Sequence, residues 1–308
     1  MRFRFRSWQL AALLAAICAL TVTGVYVWRT RGGSNASDLV GYLPSGTATV
    51  LYIDADAMRR SGILDTIAGS KAAEEPEYKQ FVDQTLFDYR RDLDAVAAAF
   101  RGNQVFLAVR GRFHWRNLMD FARHQGGSCH DGFCVTTGSR PDRRISFYAL
   151  RDDVLAMAVS SDDFAAYQIS RKPAAAAPAS LPAAPVWARV PIAALKDTNQ
   201  LPDGVKPFAA ALGNAEQVTL TLGGADNHLQ LALNVTCGDA QTASALLVDL
   251  ESATNRLRKY LANEHQHADP ADLSQVLVAG TFRRDDRKVV GEWPLERSFV
   301  DTLMGAGN

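Results

Sequence analysis

Three groups of side chains in this sequence have types and spacings that chemistry could use. Asp54 and Asp56 flank Ala55 at the end of a strand-like run, Ala48 to Asp54. In an extended chain residues i and i+2 share a face, so two carboxylates could converge on a metal ion or divide acid and base roles. The structural alternative, which the pattern favours, makes Asp56 the cap of a helix beginning near Ala57. Glu264-His265-Gln266-His267-Ala268-Asp269 gathers imidazoles and carboxylates, and His265, His267 and Asp269 are the candidate metal ligands, since neutral imidazole suits zinc, copper or nickel. The same cluster, at a helix end before Pro270, reads more simply as a solvated terminus offsetting the C-terminal dipole.

The third group is Gly-Gly-Ser-Cys129-His130-Asp131-Gly132-Phe-Cys134, with His124 just upstream. Asp-Gly is a strong tight-turn dipeptide, and a hairpin pivoting there brings Cys129 and Cys134 into disulfide range. A metal site on His124, Cys129, His130 and Cys134 would lack the CxxC knuckle and a second ligand pair, so the disulfide is expected. Cys237 follows a strand-like run and reads as a small buried residue. Arg90-Arg91 and Arg283-Arg284-Asp285-Asp286-Arg287 read as solvated, salt-bridged surfaces, with contact to anionic envelope components as the alternative. GxGxxG, GxxxxGK[ST], HExxH and GxSxG are all absent. No catalytic residue and no cofactor is therefore assigned.

The elements that would position these residues begin at a membrane. Leu10 to Trp28 is a 19-residue run without a charge, about the length that crosses a hydrocarbon core. Trp8, Tyr26 and Trp28 stand at its ends, where aromatic rings favour the headgroups. Arg2, Arg4 and Arg6 precede the run and Arg29 and Arg31 follow, a modest bias toward a cytoplasmic N-terminus. The reading is a signal anchor in a bacterial inner membrane with the bulk of the chain in the periplasm. A cleaved signal peptide ending near Val22-Thr23-Gly24, or a lipoprotein acylated on Cys18, are the alternatives. The 308 residues carry 33 basic and 33 acidic side chains, yet five arginines lie in residues 1–33, leaving 28 basic against 33 acidic, a net of −5. That excess of acid argues against nucleic-acid binding. With 47% apolar and 21% charged residues the chain is globular in composition.

After a polar spacer, helices are expected over Ala57 to Ala68, Glu77 to Leu86, Leu93 to Phe100, Trp115 to Gln125 and Ser161 to Ile169. Strands are expected over Gln104 to Gly111, Arg144 to Leu150 and Val154 to Val159. Pro173 to Pro185 holds only Pro, Ala, Ser and Leu and reads as a semi-rigid linker. Beyond it come a strand over Val186 to Val190, a short helix over Pro207 to Leu212, and an alternating hairpin over Val218 to Val235. A long amphipathic helix follows from Asp239 to Asn263, then a hairpin of Val276 to Phe282 with Val289 to Trp293, and a last helix from Pro294. The segments are thus 1–33 (tail and anchor), 38–172 (first half), 173–185 (linker) and 186–304 (second half).

The halves echo each other. Leu43-Pro44 and Leu181-Pro182 each precede a strand, Ile53 to Arg59 matches Val190 to Lys196, and Ala97 to Val105 parallels Ala209 to Val218. The expected fold class is α+β: a transmembrane helix followed by a duplicated unit of antiparallel sheet with helices on one face.

LPSGTATVLYIDADAMRRSGILDTIAGSKAAEEPEYKQFVDQT with FDYRRDLDAVAAAFR, then RGRFHW and GGSCHDGFC, resemble an uncharacterised bacterial family of membrane-anchored envelope proteins over about residues 40–170. The resemblance implies location and fold only, and carries over no catalytic role. The function expected is a membrane-tethered, non-enzymatic binding or scaffolding protein whose partners are the membrane and an envelope protein. A lipid or small-ligand carrier binding between the halves, and an envelope hydrolase or metal-dependent enzyme, are the alternatives.

Overall fold

Runs of β-branched and small apolar residues make strands that must bury one face or both, and with two short, mostly polar edge strands they pair into one sheet of twelve. The computed structural model describes residues 36–44, 48–64, 76–138, 140, 142–171, 181–196, 206–225, 228–263 and 273–296, which all belong to one compact unit. The first half contributes β1 (Thr49–Asp54), β2 (Leu93–Arg101), β3 (Gln104–Gly111), β4 (Ser128–His130), β5 (Phe133–Thr137), β6 (Arg144–Arg151) and β7 (Val154–Ser160). The second contributes β8 (Val186–Val190), β9 (Gln217–Ala225), β10 (His228–Thr236), β11 (Thr281–Asp285) and β12 (Lys288–Leu295). Their spatial order is β11-β12-β10-β9-β8-β1-β2-β3-β7-β6-β5-β4, antiparallel at each pairing.

The fold is therefore mixed α+β on a large antiparallel sheet. The halves meet at β1 and β8, where Val50, Leu51, Tyr52 and Ile53 face Arg189, Ala188, Trp187 and Val186. Tyr52 stacks on Trp187 across that junction, ring centroids 5.6 Å apart, and both are buried. Burying rings of this size contributes roughly 1.5–3 kcal/mol each.

Helices lie on both faces of the sheet, not on one. Register places Tyr52, Ala97, Ala108, Ala156, Tyr148 and Phe133 in one row on one face. That face packs against α1 (Ala36–Tyr42), through Leu39 and Tyr42, and against a 3-10 turn (Ala165–Gln168). On the opposite face Cys134, Phe147 and Leu155 pack under α5 (Trp115–His124). The second half presents Val218, Leu233, Val235, Val289 and Trp293 to that same side. They are covered by α6 (Ile192–Lys196), α7 (Lys206–Ala211), α8 (Ala240–Asn263) and α9 (Leu273–Val278). Ala243, Leu246, Leu250 and Ala253 form the buried stripe of α8 at helical spacing, and Asp239 caps it by accepting from the Thr242 N–H at 2.6 Å.

Several expectations need correcting. Leu93 to Phe100 is a strand, β2, not a helix. Ala95, Ala97 and Ala99 with Ala108, Ala156 and Ala158 make a shallow floor on which α1 can lie close, and tertiary packing overrides the helix propensity of alanine. The helix after β1 is α2 (Ala55–Arg60), shorter than expected and capped by Asp54. Leu273–Val278 is helical, so the strand of the last hairpin starts only at Thr281. Pro294 sits inside β12 opposite Gln230, and the helix expected after it falls outside the described residues. The Gly-Asn-Gln-Val echo also fails, because Ala97 to Arg101 is strand whereas Ala209 to Asn214 is helix and 3-10 turn. The expected span Leu10 to Trp28 lies outside the described residues; among those described, no helix is long and apolar enough to cross a membrane.

Candidate functional site

The side chains singled out from the sequence go to separate places. The Asp54 carboxylate accepts from the Ala57 N–H at 2.8 Å, so Asp54, rather than Asp56, is the cap. Asp56 turns along α2 to pair with Arg59 (3.1 Å) and with Arg60. The two carboxylates are thus engaged separately. His265, His267 and Asp269 lie outside the described residues. Among the described residues no group of three or more His, Cys, Asp or Glu side chains could hold a metal ion. Arg283 pairs with Glu292 at 3.2 Å, while Arg284 and Arg287 donate to the Ala240 and Gly238 carbonyls. Cys237 is a buried free thiol beside a water-sized cavity of about 30 Å³, and burial, with Asp239 and Glu216 nearby, pushes its pKa up, away from a nucleophile.

The Arg90-Arg91 run belongs to a structural knot. Asp92 ends α4 (Tyr89–Asp92), pairs with Arg91 (3.1 Å) and Arg112 (3.2 Å), and accepts from the Asp88 N–H at 3.0 Å. Burial alone would raise its pKa, but those donors outweigh it and hold the carboxyl below its ordinary value. Asp94 next door lacks such donors, and burial raises its pKa against the fields of Arg112, Arg59 and Arg110.

The disulfide is present. Cys129 and Cys134 face each other across the β4–β5 hairpin, bonded, with Cα atoms 4.1 Å apart. Asp131 and Gly132 make the turn with positive φ of 49° and 80°, a conformation Gly, Asn and Asp tolerate. His124 and His130 are exposed at the ends of α5 and β4, outside this bond.

Because strand residues alternate, β5 sends Cys134 to the α5 side and Phe133 to the other. Phe133 there is the base of an aromatic cluster that sequence reasoning missed. Tyr167 stacks on it at 4.3 Å and Phe164 at 5.9 Å, with Tyr148 at 6.1 Å. Phe164 and Tyr167 are 62% and 51% exposed, although each is large and aromatic. They are three apart in a 3-10 segment, where i and i+3 eclipse, so their rings lie nearly parallel, 8° apart with centroids at 6.4 Å.

The segment carrying them is tightly held. Asp162 accepts from the Phe164 N–H (2.9 Å), Ser160 from the Asp162 N–H (3.2 Å) and Ser146 from the Ala166 N–H (3.1 Å). Arg144 binds Asp163 at 2.8 Å, and the Tyr148 hydroxyl donates to the Ile169 carbonyl at 3.2 Å. Ala165, Ala166 and Ile169 are buried against the sheet, so the two rings are held outward on a fixed base. The Ser170 N–H then donates to the Tyr42 carbonyl at the end of α1, 2.8 Å away. Arg171 stands over the Tyr148 ring at 5.8 Å and Arg101 donates to Gln168 at 2.6 Å, which adds positive charge beside the rings. Burial raises the Tyr148 pKa, partly opposed by Arg171, so the phenol stays protonated. The only sequence signal was the pair Phe164 and Tyr167 behind a Ser-Asp-Asp start, which fits a helix face as well.

No protein-family profile matches the chain, and no curated protein matches it. Among solved structures it is similar to TP0453. Crystal form I aligns with 88% of this chain and 100% of that one at 14% identity and a TM-score of 0.48. Crystal form III aligns with 87% and 98% at 14% identity and 0.45, and crystal form IV with 87% and 97% at 13% and 0.43. Identities and scores this low do not establish a shared role.

Proposed function

We propose that the chain is a membrane-tethered, non-enzymatic envelope protein whose two halves derive from one duplicated unit and act as a binding or scaffolding module. The observation that carries the location is the pairing of an uncharged Leu10 to Trp28 run with the Cys129–Cys134 disulfide, a bond that persists in oxidising compartments such as the periplasm. Tethering would raise the local concentration of the domain for its neighbours.

Strand order supports the duplication. Away from the β1–β8 junction the order is β1-β2-β3-β7-β6 on one side and β8-β9-β10-β12-β11 on the other. In each half three strands run as a meander, a helix follows (α5 or α8), and the last two strands return with the final one innermost. The β4–β5 hairpin is then an insertion in the first half.

Alkaline extraction of membranes carrying the full chain tests the tether, and impermeant-maleimide labelling with and without reductant tests the compartment. The chain is expected to stay in the pellet with Cys129 and Cys134 blocked until reduction. A chain released by alkali, or both thiols labelling freely, overturns the reading.

A further inference from the structure

We infer that the ring pair Phe164 and Tyr167, with Arg101 and Arg171 beside it, is a surface that rests on anionic lipid and sets the orientation of the domain on its membrane. The inference rests on the tethered reading above.

Rings this exposed are held outward by buried small residues beneath them, and no described element covers them. The amphipathic tyrosine ring favours the headgroup region of a bilayer, and an exposed phenylalanine enters the boundary just beneath it. Arg101, Arg144 and Arg171 outnumber Asp162 and Asp163 around the 3-10 segment. Asp163 is already neutralised by Arg144, so the charge left beside the rings suits an anionic surface.

The chain itself limits which side of the sheet can reach the bilayer. Seven residues lie between Trp28 and Ala36, and the eight steps from one to the other reach at most roughly 28 Å. Ala36 starts α1, and the far end of α1 at Tyr42 is bonded to Ser170, directly after the ring-bearing segment. Helix α8, in the other half, has no such link to the tether, and Val248 upon it is 59% exposed, which makes it the natural control.

The test places p-benzoylphenylalanine at position 164, 167 or 248 of the full chain, reconstituted in vesicles of phosphatidylethanolamine and phosphatidylglycerol, and reads lipid adducts by mass spectrometry after illumination. Adducts are expected at 164 and 167 at least several-fold above 248. They should fall in Arg171→Gln by about fivefold, the weight of one juxtamembrane cation, and lose that dependence in phosphatidylcholine vesicles. Equal labelling at 248, no lipid adduct at 164, or cross-links from 164 to a second copy of the chain each overturn the inference. Alkaline extraction of the same vesicles separates the two readings. A retained chain without adducts removes this surface alone, whereas a released chain that still forms adducts at 164 removes the tether alone, and a released chain without them removes both.

Discussion

Reducing the Cys129–Cys134 bond isolates one contribution to stability, because both sulfur atoms stay in place while the covalent closure is lost. The bond closes a short loop, with a sequence separation of 5. The chain-entropy relation for a loop of this size gives about 2 kcal/mol at 25 °C. In a unit running from Ala36 to Asn308 that corresponds to a fall of about 3–4 °C in melting temperature if unfolding is global. If the edge hairpin opens by itself, amides of β4 and β5 should exchange about 30-fold faster instead. The double variant Cys129→Ala/Cys134→Ala should cost more than reduction, since Cys134 is fully buried against Ala122 and Phe147 and its sulfur packing is also lost. The assays are thermal melts of the oxidised, reduced and double-variant chains, with amide exchange of β4 and β5 in each. A reduced protein that matches the oxidised one in both melting and exchange refutes the reasoning, since the ladder alone would then hold the hairpin closed. Cys237 supplies an internal check, because its buried thiol should label only on unfolding.

Trp187→Ala should destabilise by about 3–5 kcal/mol, read by denaturant melts, because the ring is 1% exposed and stacks on Tyr52 across the junction of the halves; a change under 1 kcal/mol would mean that the junction does not depend on that pair. Asp92 has a depressed pKa, so its ionised form stabilises the fold above the ordinary carboxylate pKa, and that stability is lost as pH falls below about 4. Asp92→Asn should therefore cost about 1–3 kcal/mol at pH 7 and flatten the acid limb of a stability–pH profile, with the difference from wild type shrinking toward pH 2. Leu86 adopts φ of 58° just after α3 (Pro76–Thr85), where its N–H bonds the Val82 carbonyl and its side chain is half exposed. Leu86→Gly should raise stability by about 0.5–1 kcal/mol, and a loss instead would show that the leucine side chain matters more than its backbone strain.

What the sequence disclosed followed its periodicities. The alternation from Val218 to Val235 and the apolar stripe from Ala240 to Leu261 survive as β9–β10 and α8, and the Asp131-Gly132 turn places the two cysteines face to face. Beyond those, side-chain size mattered more than pattern. LDAVAAAF has the composition of a helix and becomes a strand because its alanines must let α1 approach the sheet, a requirement set by residues more than fifty positions away. LSQVLV is a short apolar run that fits helix or strand, and packing beside α8 decides it. The aromatic cluster was hidden for a related reason: Phe133, Tyr148, Phe164 and Tyr167 come from three elements, and only the hairpin and the 3-10 segment bring them together.

The junction of β1 with β8 also governs how the molecule comes into being. More than a hundred residues lie between Asp54 and Val186, so β1 is made and can pair with β2 long before its other neighbour exists. At ordinary synthesis rates of 5–20 residues per second the interval is on the order of ten seconds. Throughout it the nascent first half presents a bare strand edge, open to capture by another nascent chain. The strand that joins the two halves is thus a point at which newborn copies are open to mispairing, and arrival of Val186–Val190 closes that window.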